Sequence, residues 1–224
     1  MNHNPTDVAG EPRLKVTEIF HSIQGESTLA GERFTFVRLT GCPLRCTYCD
    51  TTYSYTGGQW MRVDEIVAVV KSHGTRWVCL TGGEPLAQKR SLLLVLALRE
   101  HGLEVTIETD GEEDVAPYVG LARLIMDMKT PSSGEKAGVC FENLRHLHKS
   151  DEIKFVISDD EDYRWAVAQC REHRLTERFK VLFSPVHGKM PLSRLAEHII
   201  ADRLDVRLQA QLHKQIWGEN VRGV

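Results

Sequence analysis

The sequence predicts an α/β fold in the form of a partial, laterally open barrel with about six parallel core strands. Short β-rich runs alternate with amphipathic stretches along most of the chain, and this order implies parallel strands joined by right-handed crossovers. A closed barrel of eight units usually takes about 250 residues. The chain has 224 residues, and its polar tail and the long loop 40–61 contribute no unit. An incomplete barrel therefore fits better than a closed one.

The elements follow from periodicity and from their boundary residues. The predicted strands are 16–20, 35–39, 77–81, 105–108, 124–128, 152–157, 180–183 and 205–209. The predicted helices are 63–72, 91–101, 112–120, 141–148, 160–173 and 192–202. Gly74 and Gly102 follow the first two helices, where a left-handed cap favours glycine. Asp64 and Asp160 lie near helix starts, where a carboxylate suits the exposed amides.

Composition bears on the number of domains and the class of partner. Because no repeat or linker interrupts the chain, we predict one domain over 1–224, with a flexible polar N-terminal tail at about 1–13. A net charge of −3 gives no basic excess for nucleic acid or anionic lipid. The opening residues lack an apolar signal segment, and the longest apolar run, 92–98, is far below the roughly 20 residues that span a bilayer. We therefore expect a cytoplasmic protein that binds neither nucleic acid nor membrane.

Three of the six cysteines lie close together after the second predicted strand, in the spacing C-x3-C-x2-C: Cys42, Cys46 and Cys49. Their number and the length of the chain do not fit a disulfide framework. A structural zinc site needs four ligands, and an ordinary [4Fe–4S] electron carrier uses four cysteines. Three cysteines would leave one iron open to a small molecule. A zinc site that borrows a histidine such as His21, or three merely buried thiols, remain alternatives.

The other three cysteines and a glycine motif also have candidate roles. We interpret Cys79, Cys140 and Cys170 as core residues. The segment 81–85, Thr-Gly-Gly-Glu-Pro, follows the third predicted strand. Its two glycines allow close backbone approach to a ligand, and Glu84 offers a carboxylate for an ammonium group. By itself the segment could equally be a turn that starts a helix at Pro85.

The cysteine spacing, with Tyr48 just before the third cysteine, resembles the signature of the radical S-adenosylmethionine (SAM) superfamily. In that superfamily the amino and carboxylate groups of the cofactor's methionine chelate the open iron. The segment 81–85 is similar to the superfamily's Gly-Gly-Glu motif, which holds the methionine amino group. The resemblance implies a partial β/α barrel of the radical SAM type, with a [4Fe–4S] cluster on the three cysteines and SAM as cofactors.

Further segments narrow the resemblance to one family. Gly31 and the segments 18–26, 36–42, 50–51, 82–85, 107–111, 151–154 and 211–214 together resemble the 7-carboxy-7-deazaguanine synthase family. These segments span nearly the whole chain. The resemblance implies a lyase of queuosine and 7-deazapurine biosynthesis. It would contract 6-carboxy-5,6,7,8-tetrahydropterin to 7-carboxy-7-deazaguanine with loss of ammonia, after hydrogen removal from C6.

The resemblance also implies roles for individual residues. The implied substrate-binding residues are Ile23, Gln24, Gly25, Arg38 and Thr81. The implied cofactor-binding residues are Tyr48, Cys49, Asp50, Gly83, Asp127, Met128, Lys129, Ser184, Pro185, Val186 and His187. Thr51 matches the position at which the family holds a magnesium ion against the substrate. Gln supplies a donor and an acceptor for a pterin edge, and Arg supplies a planar fork for a carboxylate. Glu26 and Glu108 are further candidate polar contacts.

The resemblance also implies partners. These are the pterin substrate, a flavodoxin- or ferredoxin-type electron donor and a second copy in a homodimer. Some family members bind substrate through the terminal carboxylate, a role that we do not transfer because this sequence continues past Lys214 to Trp217 and Val224. The alternative functions are a glycyl-radical-enzyme activating enzyme and a non-catalytic iron–sulfur or zinc protein. The segment 24–26 and Thr51 favour the pterin reaction over the activating enzyme, and metal analysis would distinguish it from the non-catalytic protein.

Overall fold

The computed structural model describes residues 11–135, 141–218 and 221–224. The strands in these ranges are β1 (Arg13–Ile23), β2 (Arg33–Leu39), β3 (Gln59–Arg62), β4 (Trp77–Gly82), β5 (Glu104–Thr109), β6 (Arg123–Asp127), β7 (Glu152–Ile157), β8 (Lys180–Pro185) and β9 (Arg207–Leu208). The helices are α1 (Val63–Ser72), α2 (Ser91–Glu100), α3 (Asp160–Glu172), α4 (Leu175–Arg178), α5 (Leu192–Ala201) and α6 (Leu212–Trp217). The predicted tail lies mostly outside the described residues, and Arg13 already belongs to β1.

The strands form one sheet in the order β3-β1-β2-β4-β5-β6-β7-β8-β9. From β2 through β9 every neighbouring pair is parallel, and β9 is only two residues long. Within the described ranges, β3 and β9 are the edges of this sheet and do not pair with each other. The prediction of an α/β partial barrel with about six parallel strands is therefore confirmed.

The start of the chain departs from the simple alternation. The strand β1 pairs antiparallel with both β2 and β3, so the first two predicted strands form a hairpin instead of a parallel unit. Only nine residues, 24–32, join β1 to β2, which is too short for a crossover helix but sufficient for a hairpin. The prediction missed β3, since it lies in the segment 40–61 that we interpreted as loop.

The two faces of the sheet differ in chemistry because side chains alternate along each strand. On β4, Val78 and Leu80 belong to the main hydrophobic core, which also contains Ile66 of α1 and Leu94 of α2. The opposite face carries Cys79, which packs with phenylalanines of β2 in a second, smaller cluster. At the carboxyl ends this second face becomes polar, and it forms the wall of the cavity described below.

Helix boundaries agree with the predictions at most points. Gly74 and Gly102 have φ values of 62° and 74°, as expected for left-handed caps. The cap of α3 is Asp159, whose carboxylate accepts hydrogen bonds from two backbone amides of the first turn, whereas Asp160 lies inside that turn. Cys79 and Cys170 are buried, as predicted, and Cys140 lies outside the described residues.

Two predicted helices are wrong. The segments 112–120 and 141–148 contain only short 3-10 turns, at Ala116–Tyr118 and Phe141–Arg145. The side chain of Asn143 donates to the carbonyls of Gly111 and Glu113 and accepts from Val115 N, so it replaces the hydrogen bonds that a helix would make. In the part of the chain that the structure describes, no helix is long and apolar enough to cross a bilayer.

Candidate active site

The carboxyl ends of the parallel strands open into a cavity of about 510 Å³. The predicted site residues that line it are Ile23, Gln24, Gly25, Glu26, Arg38, Cys42, Cys46, Tyr48, Cys49, Asp50, Thr51, Thr81, Gly83, Glu108, Asp127, Lys129, Pro185, Val186 and His187. Two others do not. The side chain of Met128 is fully buried in the hydrophobic core, and Ser184 is buried without reaching the cavity surface. A direct side-chain contact from either residue to a ligand is therefore not supported.

The three clustered cysteines lie on the loop that follows β2. Their side chains are half-buried, and Cys49 N donates to Cys46 O at 3.2 Å. Among the described residues no three His, Cys, Asp or Glu side chains converge as they would on a single metal ion. Burial raises the pKa of the Cys42 thiol to about 11 and also raises that of Cys46. Without a bound metal centre these two cysteines are therefore thiols at neutral pH.

The glycine motif after β4 supports the cysteine loop. A Cβ on Gly83 would lie 2.1 Å from the carbonyl oxygen of Gly41 and 2.7 Å from Cys42 Cβ. The amide of Glu84 donates to the same Gly41 oxygen at 2.8 Å. Only glycine permits this approach, so the motif fixes the position of the first cysteine.

Glu84 does not offer its carboxylate to a ligand, contrary to the sequence prediction. It is fully buried, and it accepts hydrogen bonds from Leu86 N, Thr109 Oγ1 and Asp110 N. Burial and the neighbouring Asp110 raise the pKa of Glu84 well above its usual range. Asp110 itself lines the cavity, and its Oδ2 atom is buried without a hydrogen-bond partner. The carboxylate that faces the cavity here is therefore that of Asp110, which the sequence analysis did not single out.

Near the end of β2, Arg38 is held by acidic and aromatic neighbours. Its Nε donates to Glu18 Oε1 at 2.8 Å, and the Tyr53 hydroxyl donates to the same oxygen at 2.8 Å. Arg38 is in register with Thr81 on the adjacent strand, and Thr81 Oγ1 donates to Glu108 Oε2 at 2.9 Å. These side chains present a guanidinium, a hydroxyl and a carboxylate on neighbouring strand ends.

The segment after β1 supplies an amide group. Gln24 is 3% exposed, and its Oε1 atom accepts from Glu26 N at 3.1 Å. Gln24 lines the cavity, and its Nε2 atom is buried without a hydrogen-bond partner. A buried, unpaired amide donor costs free energy, so this group is suited to a ligand that accepts its hydrogen bond.

Four charged side chains form an ion-pair chain along the cavity wall. Lys154 Nζ lies 3.0 Å from Glu26 Oε2 and 3.6 Å from Asp127 Oδ2. Lys129 Nζ lies 2.9 Å from the same Asp127 oxygen, and Gln211 Nε2 donates to Glu26 at 2.8 Å. Burial alone would raise the pKa of Glu26, but Lys154 and Gln211 outweigh it and lower that pKa to about 2. Glu26 is therefore a carboxylate at neutral pH.

Helix α6 closes one side of the cavity. Leu212 N donates to Gly25 O at 3.0 Å, and Lys214 Nζ lies 2.7 Å from Asp50 Oδ2. A Cβ on Gly25 would lie 2.0 Å from His213 Nδ1, so the histidine ring occupies the space beside this glycine. The other oxygen of Asp50 accepts from the Thr51 hydroxyl at 2.9 Å.

Residues 221–224 also line the cavity, and the Arg222 guanidinium lies 4.0 Å from the centre of the Tyr53 ring. No role for this segment was predicted from the sequence. None was predicted for Glu18, Tyr53, Lys154 or His213 either. Glu18, Lys154 and His213 fall in segments that the family resemblance already covered, and this was the available signal for them. No periodicity marks Glu18 or Tyr53 as neighbours of Arg38, because their proximity depends on the hairpin and on the cysteine loop.

Comparisons with known proteins agree with this geometry. Residues 36–133 match the model of the Radical SAM superfamily. A relative from Thermoplasma acidophilum named 7-carboxy-7-deazaguanine synthase is 40% identical over 92% of this chain and 98% of its own length. The chain belongs to the 7-carboxy-7-deazaguanine synthase family.

Two further comparisons extend this assignment. The relative of the same name from Chlorobaculum tepidum is 41% identical over 96% of this chain and 99% of its own. The crystal structure of QueE from Escherichia coli superposes with a TM-score of 0.74, over 90% of this chain and 95% of that chain, at 23% identity. The structural likeness concerns the fold, and the sequence relatives carry the family. The chain matches these family members over nearly their full length.

Proposed function

We propose that this chain converts 6-carboxy-5,6,7,8-tetrahydropterin to 7-carboxy-7-deazaguanine and ammonia, as a radical SAM lyase of queuosine and 7-deazapurine biosynthesis. The observation that carries the proposal is the shared cavity. Its wall brings the three cysteines together with an arginine, a threonine and a glutamine at the positions that the family resemblance assigns to substrate. Substrate and product then differ by one ammonia, so the reaction needs no external oxidant.

The donor set of the cysteine loop fits a [4Fe–4S] cluster with one open iron. Cys42, Cys46 and Cys49 would hold it, and no fourth cysteine lines the cavity among the described residues. When bound, the reduced cluster and SAM supply the radical chemistry that removes hydrogen from C6 of the substrate. The chain's own part is to position the two ligands and to exclude water.

The substrate's carboxylate and ring edge find complementary groups on one wall. Arg38 would pair with the carboxylate, since Glu18 occupies its Nε edge and orients the guanidinium. The buried Nε2 atom of Gln24 would donate to the pterin edge, beside Ile23 and Gly25. Thr81 on β4 and Glu108 on β5 would contact the ring of the substrate.

The cofactor would occupy the part of the cavity next to the cysteine loop. Its ammonium group suits the Asp110 carboxylate, and its carboxylate suits Lys129. The other proposed contacts are Tyr48, Cys49, Asp50, Gly83, Asp127, Pro185, Val186 and His187. Met128 and Ser184 could act only through the backbone, because their side chains do not line the cavity.

Magnesium, in this proposal, would bind at Thr51. The Thr51 hydroxyl donates a hydrogen bond to Asp50, so the lone pairs of the hydroxyl oxygen remain available to a cation. Magnesium usually also binds waters and an anionic ligand. A substrate carboxylate could be that ligand. We also propose a single domain over 1–224, a homodimer, a cytoplasmic location that keeps the thiols reduced, and a flavodoxin- or ferredoxin-type electron donor.

The proposal is tested with anaerobically reconstituted protein, reduced chemically and supplied with SAM and the carboxytetrahydropterin. We expect 7-carboxy-7-deazaguanine and ammonia in equal amounts, with iron and sulfide near four per chain as for a [4Fe–4S] cluster. Cleavage of SAM without the deazaguanine product would contradict the substrate and favour a glycyl-radical activating enzyme. One zinc and no iron would contradict the radical mechanism itself.

A further inference from the structure

Lys154 joins two parts of the cavity that the proposed function assigns to different ligands. On one side its ammonium group binds Glu26, which directly follows the segment Gln24–Gly25 proposed for the pterin. On the other side it lies 3.6 Å from Asp127, within the segment 127–129 proposed for SAM. Lys154 and Glu26 are 128 positions apart in sequence, so this contact exists only in the folded barrel.

The backbone fixes Lys154 to the cofactor side. Lys154 on β7 is in register with Asp127 on β6, and its carbonyl accepts from Met128 N at 2.8 Å. The contact to Glu26 has no such backbone support, because it is made by Nζ at the end of a long side chain. The ammonium group is therefore the direct link from this strand pair to the carboxylate of Glu26.

The link is a pair of fixed charges. The side chains of Glu26, Lys154, Asp127 and Lys129 are between 12% and 15% exposed. Burial would lower the pKa of Lys154, but Glu26, Asp127 and Glu108 outweigh it and raise that pKa well above its usual range. With Glu26 held as a carboxylate, neither group exchanges a proton readily at neutral pH. A buried, hydrogen-bonded ion pair of this kind is better suited to setting a distance than to acid–base catalysis.

We propose that Lys154 is a positioning residue, which holds the substrate segment 24–26 at a fixed distance from the cofactor segment 127–129. This inference rests on the proposed function. The distance between hydrogen donor and radical source must be maintained closely in such chemistry, since small displacements of reacting groups cost large factors in rate. Glu26 then serves only the substrate side, whereas Lys154 serves both sides.

The test compares holoenzymes of the wild type and of Glu26→Gln, Lys154→Gln and the double variant, with Lys180→Gln as the matched control. Lys180 is an exposed lysine on β8 and does not line the cavity. Three quantities are measured: the SAM dissociation constant by equilibrium dialysis without reductant, the KM for the pterin, and the ratio of SAM cleaved to product formed. The SAM dissociation constant measured in this way does not depend on turnover.

We expect Glu26→Gln to raise the pterin KM about tenfold and to leave SAM binding within about twofold, because one charged hydrogen bond is lost on one side. Lys154→Gln should raise both the SAM dissociation constant and the pterin KM by about tenfold. It should also increase the ratio of SAM cleaved to product formed. The double variant should match Lys154→Gln. It carries no unpaired Glu26 charge, so it keeps the test valid if the single lysine variant fails to fold.

Two results would overturn the proposal. One is that Lys154→Gln, or the double variant, leaves the SAM dissociation constant, the pterin KM and the cleavage ratio within about twofold of Lys180→Gln. The other is that Glu26→Gln raises the SAM dissociation constant as much as Lys154→Gln does. Failure of the proposed function is distinguishable, because the wild type would then form no deazaguanine at all.

Discussion

The Nε atom of Arg38 lies 2.8 Å from Oε1 of Glu18, and the two side chains are 16% and 22% exposed. Glu18 binds the Nε edge of the Arg38 guanidinium, and Arg38 lines the cavity. A planar fork oriented in this way suits a carboxylate that arrives from the cavity.

Arg38→Gln should raise the KM for the carboxytetrahydropterin by about 10- to 100-fold, the usual range for losing a charge-assisted hydrogen bond. Binding of SAM should change little. Arg33→Gln is the matched control, because Arg33 is an exposed arginine on the same strand that donates to Gly74 O. Steady-state kinetics on both variants decide the matter, and an equal KM for the two would refute the role of Arg38.

Cys46→Ala should abolish the visible absorption of the reconstituted cluster, since two thiolates cannot hold it stably. Cys170→Ala controls for loss of a thiol. Cys170 is buried in the core on α3, so its removal should lower stability by about 1 kcal/mol and leave the cluster intact. Iron and sulfide analysis with absorption spectra makes the comparison. Full absorption in the Cys46 variant would rule out this ligand assignment.

Gly83→Ala should reduce cluster content although it removes no ligand. The new methyl group would meet the Gly41 carbonyl at 2.1 Å and Cys42 Cβ at 2.7 Å, so the cysteine loop must shift. Gly120→Asn is the control, because a Cβ at Gly120 meets nothing within 4 Å and asparagine tolerates its left-handed backbone. Iron content per chain after identical reconstitution is the measurement, and equal loading of the two variants would contradict the role of Gly83.

Glu26 should stabilise the protein only above acidic pH. Its folded pKa of about 2 lies below the unfolded value of 4.5, so the stabilisation is present above pH 4.5 and is lost as the pH falls toward 2. A shift of this size corresponds to about 3 kcal/mol. The Tm difference between wild type and Glu26→Gln should therefore be large at pH 5 to 7 and narrow below. Glu32 is exposed in the same connection between β1 and β2, and Glu32→Gln should have nearly the same Tm as the wild type at any pH. A gap that widens on acidification would be the opposite of this expectation.

Local sequence patterns predicted the barrel, most strands and helices, and the placement of the cysteine and glycine motifs at strand ends. They failed where a side chain replaces backbone hydrogen bonds, as Asn143 does in the segment 112–120. They also failed for Glu84, because its partners, Thr109 and Asp110, come from the next strand and only the fold brings them there. The chain of charges through Lys154 was unpredictable for the same reason.

The central claim is that this cavity aligns C6 of the pterin with the adenosyl group of SAM. Substrate carrying deuterium at C6 tests it directly in the anaerobic holoenzyme, by mass spectrometry of the adenosyl carbon whether it is recovered as SAM or as 5′-deoxyadenosine. The account predicts that deuterium moves from C6 to that carbon while 7-carboxy-7-deazaguanine accumulates. Formation of the product with no deuterium on the adenosyl carbon would contradict it.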